Sequence, residues 1–153
     1  MSVRIRPYQP EDMPSLLRIE AQAFTVDAWD RRLLQWYADT CPKLFLIAEI
    51  GARVAGYCVA RPTRTGFADL DSIAVRRRYR RHGVGTRLLR AAINRLRRQG
   101  VHTLSLMVRR DNKEAIAFYH RHGFTRTRTV HGYYEDNATA WRMAARIEMP
   151  VIA

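Results

Sequence analysis

Residues 68–85 read ADLDSIAV, then RRRYRRH, then GVG, and this stretch decides the fold. An apolar strand runs into a basic turn, and the turn ends in two glycines that open a helix. Glycine lets the backbone approach a ligand closely, and the free N–H groups of a helix start favour a bound anion. The stretch therefore predicts a strand, an anion-binding turn and a helix in succession.

The chain on both sides of this stretch alternates between strand and helix patterns. A first strand is predicted at residues 3–6, followed by two helices that start near Pro10 and Trp29. The remaining elements are predicted as strands at 44–49, 54–60 and 67–75, a helix at 83–98, a strand at 101–108, a helix opened by an Asp111–Glu114 capping box, and strands at 124–130 and 138–147. This order predicts a mixed α/β fold.

The length and composition are those of one globular protein. At 153 residues the chain is expected to form a single domain, residues 1–153. No apolar run approaches the roughly 18 residues of a membrane span, and the N-terminus lacks an apolar signal core. We therefore expect no membrane partner and a cytoplasmic location. Cys41 and Cys58 form no metal or redox motif, so no metal site is expected.

The formal net charge of +13 favours an anionic partner. Nucleic acid, a ribosome, a phosphorylated cofactor or an acidic peptide would each fit, and charge alone selects none of them. The turn is not a Walker motif, because no Gly-Lys-Ser/Thr follows. It is not a dinucleotide fingerprint either, because Leu88 stands where the third glycine belongs.

A second motif narrows these alternatives. Residues 112–124 fit the pattern N-x-x-A-x-x-F-Y-x-x-x-G-F, and the turn fits R-x-x-G-x-G from Arg80. With both motifs and the order of elements, essentially the whole chain resembles the GNAT superfamily of N-acetyltransferases. The resemblance implies a mixed, twisted central β-sheet flanked by α-helices. It also implies an enzyme that transfers acetyl directly from acetyl-CoA to a primary amine.

The resemblance assigns the acetyl-CoA contacts to both motifs. Backbone groups of the central strand pair with the pantetheine arm like an added strand, and the turn and helix start cradle the pyrophosphate. Asn112 hydrogen-bonds the pantetheine and can also cap its own helix. A doubly charged pyrophosphate suits a basic turn at a helix N-terminus. The residues implied are Ile73, Ala74 and Val75 on the strand, and Arg80, Arg81, His82, Gly83, Val84, Gly85 and Thr86 in the turn and helix.

Tyr119 is the residue on which we expect the chemistry to depend. When an amine attacks the thioester, the departing CoA thiolate needs a proton. A phenol at this motif position resembles the family's general acid. Core packing is the alternative account of a lone helical tyrosine.

The general base is less clear from the sequence. Residues 18–24 and the pair Tyr133-Tyr134 resemble, more loosely, the ribosomal-protein alanine N-acetyltransferase type. That type usually has a glutamate base on the strand before Asn112, but Met107 stands there and a thioether cannot take a proton. Asp69 and Asp71, on one side of the central strand by the period of two, are the candidate replacements. Glu20 and His131 are weaker candidates, and a base acting through water also remains open.

The missing glutamate favours an acceptor of low pKa. At pH 7 an α-amine of pKa about 7.8 is roughly 10–20% neutral, whereas a lysine of pKa about 10.4 is about 0.04% neutral. A protein N-terminal α-amine is therefore the leading acceptor. The alternatives are a small-molecule amine (polyamine, antibiotic or amino acid) and a non-catalytic ribosome- or nucleic-acid-binding module. Tyr119 and the phosphate turn argue against the last.

Overall fold

The computed structural model describes residues 2–24 and 26–148, and its elements follow the predicted order. They are β1 Arg4–Pro7, α1 Met13–Ala23, α2 Arg31–Thr40, β2 Phe45–Ile50, β3 Arg53–Arg64, β4 Phe67–Val75, α3 Val84–Arg98, β5 Thr103–Arg109, α4 Lys113–Arg121, β6 Thr125–Val130 and β7 Ala140–Arg146. The strands form one sheet in the order β1-β2-β3-β4-β5-β7-β6. Since β4 and β5 run parallel while β1 and β2 run antiparallel, the predicted mixed sheet with helices is confirmed.

Helix α1 begins at Met13, after a 3-10 turn at Pro10–Asp12, and not near Pro10 as predicted. The starts of α2 and α4 also differ from the prediction, each because of a capping side chain. Helix α2 begins at Arg31 because the carboxylate of Asp30 accepts a hydrogen bond from the N–H of Leu33 at 2.9 Å. The predicted capping box at Asp111 is wrong. The N-cap of α4 is Asn112, whose Oδ1 accepts a hydrogen bond from the N–H of Ala115 at 3.1 Å.

The chain contains two compact units, and the first takes in the chain up to Arg61 together with Asp71–Arg95. In this unit α1 and α2 pack on one face of β2 and β3. The buried cluster they share is Met13, Leu16, Ile19, Leu34, Tyr37, Cys41, Phe45, Ile47, Val54, Tyr57, Val59 and Ala74. On the other face, Cys58 Sγ lies 3.8 Å from the carbonyl oxygen of Leu88 in α3. Burial on both faces explains why β2 reads as a continuous apolar run.

The second unit takes in Pro62–Leu70 and the chain from Leu96 onward. Its parallel ladder between β4 and β5 has three residue pairs and ends at Asp69 and Ser105. Strands β5 and β7 pair antiparallel over seven residues, which sets Met107 opposite Arg142. None of the helices within residues 2–24 and 26–148 has the length and apolar character of a bilayer-spanning segment.

Candidate active site

The basic turn of the first unit is braced by its own residues. After β4 a 3-10 turn, Arg77–Tyr79, buries the ring of Tyr79. Arg80 Nε then donates a hydrogen bond back to the carbonyl oxygen of Val75 at 3.2 Å. The predicted cofactor strand, Ile73 to Val75, and the predicted phosphate turn are therefore linked by a direct contact.

Two residues of the turn have left-handed backbone conformations. Arg81 has φ = 66° and Gly83 has φ = 76°. Glycine adopts this region without cost, whereas a residue with a Cβ is strained there. The carbonyl of Gly83 accepts a hydrogen bond from the N–H of Arg87 at 3.0 Å, so α3 starts at Val84. The N–H groups of Val84 and Gly85 thus belong to a first helical turn, where the helix dipole favours a bound anion.

The strained Arg81 supports a prediction that separates folding from anion binding. Arg81→Gly should relieve about 1 kcal/mol of backbone strain. This offsets the 0.5–1 kcal/mol that glycine usually costs, so the free energy of unfolding should not fall. The dissociation constant of acetyl-CoA should rise several-fold because a cation is lost. Calorimetry and denaturant unfolding measure the two effects. Arg81→Lys, which keeps the charge, should bind within about twofold of the wild type, and equally weak binding by both variants would contradict the prediction.

Tyr119 lies in the last turn of α4, where the end of the helix fixes its position. The N–H of Phe124 donates to the carbonyl of Tyr119 at 3.0 Å, and the N–H of Gly123 donates to the carbonyl of His120 at 3.1 Å. Gly123 has φ = 87°, and the rings of Tyr119 and Phe124 lie 5.8 Å apart. These are the two bonds, the left-handed glycine and the apolar contact of a Schellman motif. The glycine and second phenylalanine of the motif therefore hold Tyr119 in place.

Asn112 lies at the other end of the same helix. Its Oδ1 accepts from Ala115, which is the capping role that the sequence allowed beside cofactor binding. Tyr119 is seven positions further along the chain, or about 10 Å along the helix axis. The second unit thus places Asn112, which is predicted to bind the pantetheine, and Tyr119, the predicted acid, at the two ends of helix α4.

Asp69 and Met107 share a neighbour that the sequence did not indicate. Arg142 Nη2 lies 3.4 Å from Asp69 Oδ1, and Arg142 Nη1 lies 4.0 Å from Met107 Sδ. The Asp69 side chain is 21% exposed. The structure therefore puts the guanidinium of Arg142 in contact with both Met107 and the half-buried carboxylate of Asp69.

Asp71 has different partners, all in the first unit. Its Oδ2 accepts a hydrogen bond from the hydroxyl of Tyr37 and from Arg61 Nε, both at 2.7 Å. Burial and the bond to Asp71 raise the pKa of Tyr37. Asp71 is thus held by two short bonds of 2.7 Å, whereas the contact between Asp69 and Arg142 is longer, at 3.4 Å. We therefore rank Asp69 ahead of Asp71 as the candidate base.

The weaker base candidates are placed unfavourably. Glu20 is 1% exposed, and its oxygens accept from the hydroxyl of Tyr57 and from the N–H of Trp29. Burial raises the pKa of Glu20, and these two hydrogen bonds oppose the shift. His131 is exposed in the turn that follows β6. A buried carboxylate with both oxygens occupied is not positioned to accept a proton from a substrate.

Neither cysteine is placed for nucleophilic chemistry. Both cysteines are buried, and burial raises the pKa of Cys58 to about 12, so its thiol is not a nucleophile. Residues 2–24 and 26–148 hold no group of three or more His, Cys, Asp or Glu side chains that could bind a metal ion.

The loop between β6 and β7 is held by a residue that sequence reasoning missed. Arg109, at the end of β5, pairs with Asp136 at 3.0 Å, and its guanidinium lies 4.4 Å from the centroid of the Tyr134 ring. The Arg109 contact is also the main cause that lowers the pKa of Asp136. The neighbouring Tyr133 is 51% exposed. Neither Arg109 nor Arg142 could be found without the strand register, because their partners are distant in sequence.

Comparisons with known proteins show which family and which solved structures this chain is similar to. Residues 11–124 match the acetyltransferase (GNAT) family. An N-alpha-acetyltransferase of Sulfurisphaera tokodaii is 34% identical over 66% of this chain and 68% of its own. The crystal structure of Ard1 from Thermoplasma volcanium superposes with a TM-score of 0.92 at 32% identity, covering 98% of this chain and 100% of its own. The ribosomal-protein-S18-alanine N-acetyltransferase from Escherichia coli gives a TM-score of 0.82 at 28% identity, covering 98% and 97%.

Proposed function

The chain belongs to the acetyltransferase (GNAT) family, and on this premise we propose that it acetylates the α-amine of a protein N-terminus. It is an N-acetyltransferase by family, and the donor proposed is acetyl-CoA. Relatives named as N-alpha-acetyltransferase and as ribosomal-protein-S18-alanine N-acetyltransferase support this acceptor. We further propose that residues 1–153 act as a single catalytic domain in the cytoplasm.

One observation carries the choice of acceptor, namely the surroundings of Met107. A thioether accepts no proton, and the guanidinium of Arg142 lies 4.0 Å from it. That guanidinium is paired with Asp69 at 3.4 Å. Met107 therefore supplies no base, and the site favours an acceptor that reaches its neutral form with little help from the enzyme. An α-amine of pKa about 7.8 reaches that form at neutral pH far more readily than a lysine of about 10.4. The site therefore favours an α-amine over a lysine side chain.

The proposed acetyl-CoA site combines the end of strand β4, the basic turn after it and the start of helix α3. The ladder between β4 and β5 ends at Asp69 and Ser105, and we propose that Ile73, Ala74 and Val75 pair with the pantetheine arm beyond that point. The left-handed turn at Arg81 and Gly83 delivers the first N–H groups of α3 to the pyrophosphate. Asn112 would bind the pantetheine from the start of α4.

The proposed reaction is a direct transfer assisted by a base and an acid. Asp69, directly or through water, takes one proton of the acceptor ammonium, and the neutral nitrogen attacks the thioester carbon. The carbon–sulfur bond then breaks, and the hydroxyl of Tyr119 gives its proton to the departing thiolate. The attacking nitrogen loses its second proton, which returns through water to the tyrosinate, and Asp69 releases its proton to solvent. The products are the N-acetyl amide, CoA and one proton.

A matched panel of acceptors tests this proposal. Two peptides of equal length would be compared, one with a free N-terminus and no lysine, the other with a blocked N-terminus and one internal lysine. Polyamines and free amino acids complete the panel. We expect acetylation of the first peptide at least 100-fold faster at pH 7, detected by mass spectrometry. Equal or faster acetylation of the lysine peptide, or of a small amine, would contradict the proposal.

Peptides of different charge, added to this panel, test whether the enzyme has an anionic partner. Residues 72–110 contain twelve arginines and no aspartate or glutamate. This is more positive charge than one CoA neutralises, and we propose that it draws the enzyme to an acidic polypeptide or a ribosome. Peptides with acidic residues after the N-terminus should have a lower KM than neutral ones at low salt, and the difference should shrink at 0.5 M salt. A KM independent of salt would argue against this partner.

A further inference from the structure

One face of the sheet in the second unit brings together side chains from three strands. Asp69 of β4 is paired with Ser105 of β5, and two residues further along β5 Met107 is paired with Arg142 of β7. Side chains two positions apart on a strand lie on the same face of the sheet, as do those of directly opposite residues. Asp69, Met107 and Arg142 therefore share one face, and Met107 is on the strand between the other two.

Arg142 reaches past the residue directly opposite to it. Its Nη1 lies 4.0 Å from Sδ of Met107, and its Nη2 lies 3.4 Å from Oδ1 of Asp69. The strands that carry Asp69 and Arg142 are two strand spacings apart, or about 10 Å. A carboxylate directly opposite Arg142 would be its nearest ionic partner, but the thioether of Met107 carries no charge. The neutral side chain at position 107 therefore leaves the guanidinium to Asp69.

Strand pairing and stability do not account for an arginine at this position. On its other side Arg142 is directly opposite Arg128 of β6, and like charges at opposite positions are destabilising. The Arg142 side chain is 34% exposed, and ion pairs open to solvent contribute little to stability. What the guanidinium supplies is a planar group of donors with fixed directions. The specific contribution of Arg142 is therefore the orientation of the Asp69 carboxylate.

The backbone from which this guanidinium extends is also held. The carbonyl oxygen of Arg142 accepts a hydrogen bond from Oγ1 of Thr127 at 3.2 Å. This contact lies at an irregularity in the pairing of β6 with β7, between Arg126 and Arg128. Such irregularities commonly change the direction of a side chain. The local structure of β6 and β7 thus fixes the point from which Arg142 reaches Asp69.

We infer that Arg142 is a positioning residue that orients the carboxylate of Asp69 for proton removal, with Met107 as the neutral spacer between them. The inference rests on the proposed function, in which Asp69 is the base, and adds to it a residue that acts only through Asp69. The guanidinium stays protonated and accepts no proton itself. Its loss should therefore weaken the base and leave acetyl-CoA binding intact.

Arg142→Gln tests this role through the pH dependence of kcat/KM for an N-terminal peptide. An α-amine of pKa about 7.8 is about 2% neutral at pH 6 and more than 90% neutral at pH 9, so a poorly oriented base costs most at low pH. We expect kcat/KM to fall about tenfold at pH 6 and about threefold at pH 7, and to lie within about 1.5-fold of the wild type at pH 9. The acetyl-CoA Kd should stay within about twofold of the wild type.

Two further variants separate orientation from charge and from general destabilisation. Arg142→Lys keeps the charge without the planar fork, and it should bring kcat/KM at pH 6 back to within about threefold of the wild type. Arg128→Gln is the matched control, because it removes the same charge from the exposed residue directly opposite Arg142. It should leave kcat/KM within about twofold of the wild type at every pH.

A double variant tests whether Arg142 acts through Asp69. Asp69→Asn combined with Arg142→Gln should be slower than Asp69→Asn alone by no more than about 1.5-fold, because the carboxylate that Arg142 orients is already gone. Losses that multiply in the double variant would overturn the inference. So would a loss in Arg142→Gln that is the same at pH 6 and at pH 9, since Arg142 would then act independently of the base.

The failure of the inference differs from the failure of the proposed function. If Asp69→Asn has the pH-dependent loss and Arg142→Gln does not, the inference is overturned and the proposed function stands. If Asp69→Asn keeps wild-type activity at every pH, the base assignment and the inference fail together. If the wild type acetylates only a small amine, the proposed acceptor is wrong, and the same comparison with that amine decides the inference. If Arg142→Gln does not fold, Arg142→Met takes its place, because methionine keeps an apolar stem beside Met107.

Discussion

Replacing Tyr119 by phenylalanine should lower kcat by about 10²–10³-fold, because proton donation by a positioned acid contributes about that much. The acetyl-CoA Kd should stay within about twofold. The ring contacts with Phe118 and Phe124, and the backbone bonds that end α4, do not involve the hydroxyl and should persist. Steady-state kinetics and calorimetry with the same protein preparation measure the two quantities.

The control for this change is Tyr133→Phe, which removes the hydroxyl of a tyrosine that is 51% exposed. Its kcat should remain within about threefold of the wild type. Turnover by Tyr119→Phe within twofold of the wild type would refute the acid assignment. A large loss of kcat together with lost acetyl-CoA binding would mean that the tyrosine serves the cofactor site instead.

Replacing Asp69 by asparagine should lower kcat/KM for an N-terminal peptide by about five- to tenfold at pH 7, because a positioned base is lost and only about 10–20% of the α-amine is then neutral. Most of the difference from the wild type should disappear near pH 9. At that pH an α-amine of pKa about 7.8 is more than 90% neutral without help from the enzyme. A pH–rate profile from pH 6 to 9.5 measures the convergence.

Asp71→Asn is the matched comparison on the same strand. Asp71 accepts from Tyr37 and Arg61, so its loss should lower the melting temperature and reduce activity by a factor that does not depend on pH. If Asp71→Asn showed the pH-dependent defect and Asp69→Asn did not, the base would be Asp71. A defect in neither variant would leave proton removal to water.

Most of the fold could be predicted from local pattern. Strand β4, Phe67–Val75, was predicted with its observed bounds, because its apolar run ends at an unmistakable basic turn. The order of elements followed from alternating and helical hydrophobic periods. Helix starts were less accurate, because they depend on which of two neighbouring polar residues provides the cap. At α4 both Asp111 and Asn112 were suitable, and the hydrogen bond to Ala115 is made by Asn112.

The candidate site was predictable only where it is local in sequence. The turn around Gly83 and the motif around Tyr119 are continuous segments, and their residue types follow from the geometry that they adopt. The surroundings of the two aspartates are different. The period of two places Asp69 and Asp71 on one side of a strand, but it does not show that one meets Arg142 and the other meets Tyr37. Those contacts arise from residues 34 to 73 positions away, and only the folded chain brings them together.

The Schellman motif at the end of α4 has a consequence for how this enzyme could be altered. Because Gly123 and Phe124 contact Tyr119 directly, the proposed proton donor is part of a cassette of six consecutive residues. This cassette includes neither residues 26–30 nor the β6–β7 loop. Libraries that diversify those two loops can therefore search for new acceptors while the acid stays in register. The same six residues, placed at the end of a helix, could be used in a designed protein to position a phenol beside a bound thioester.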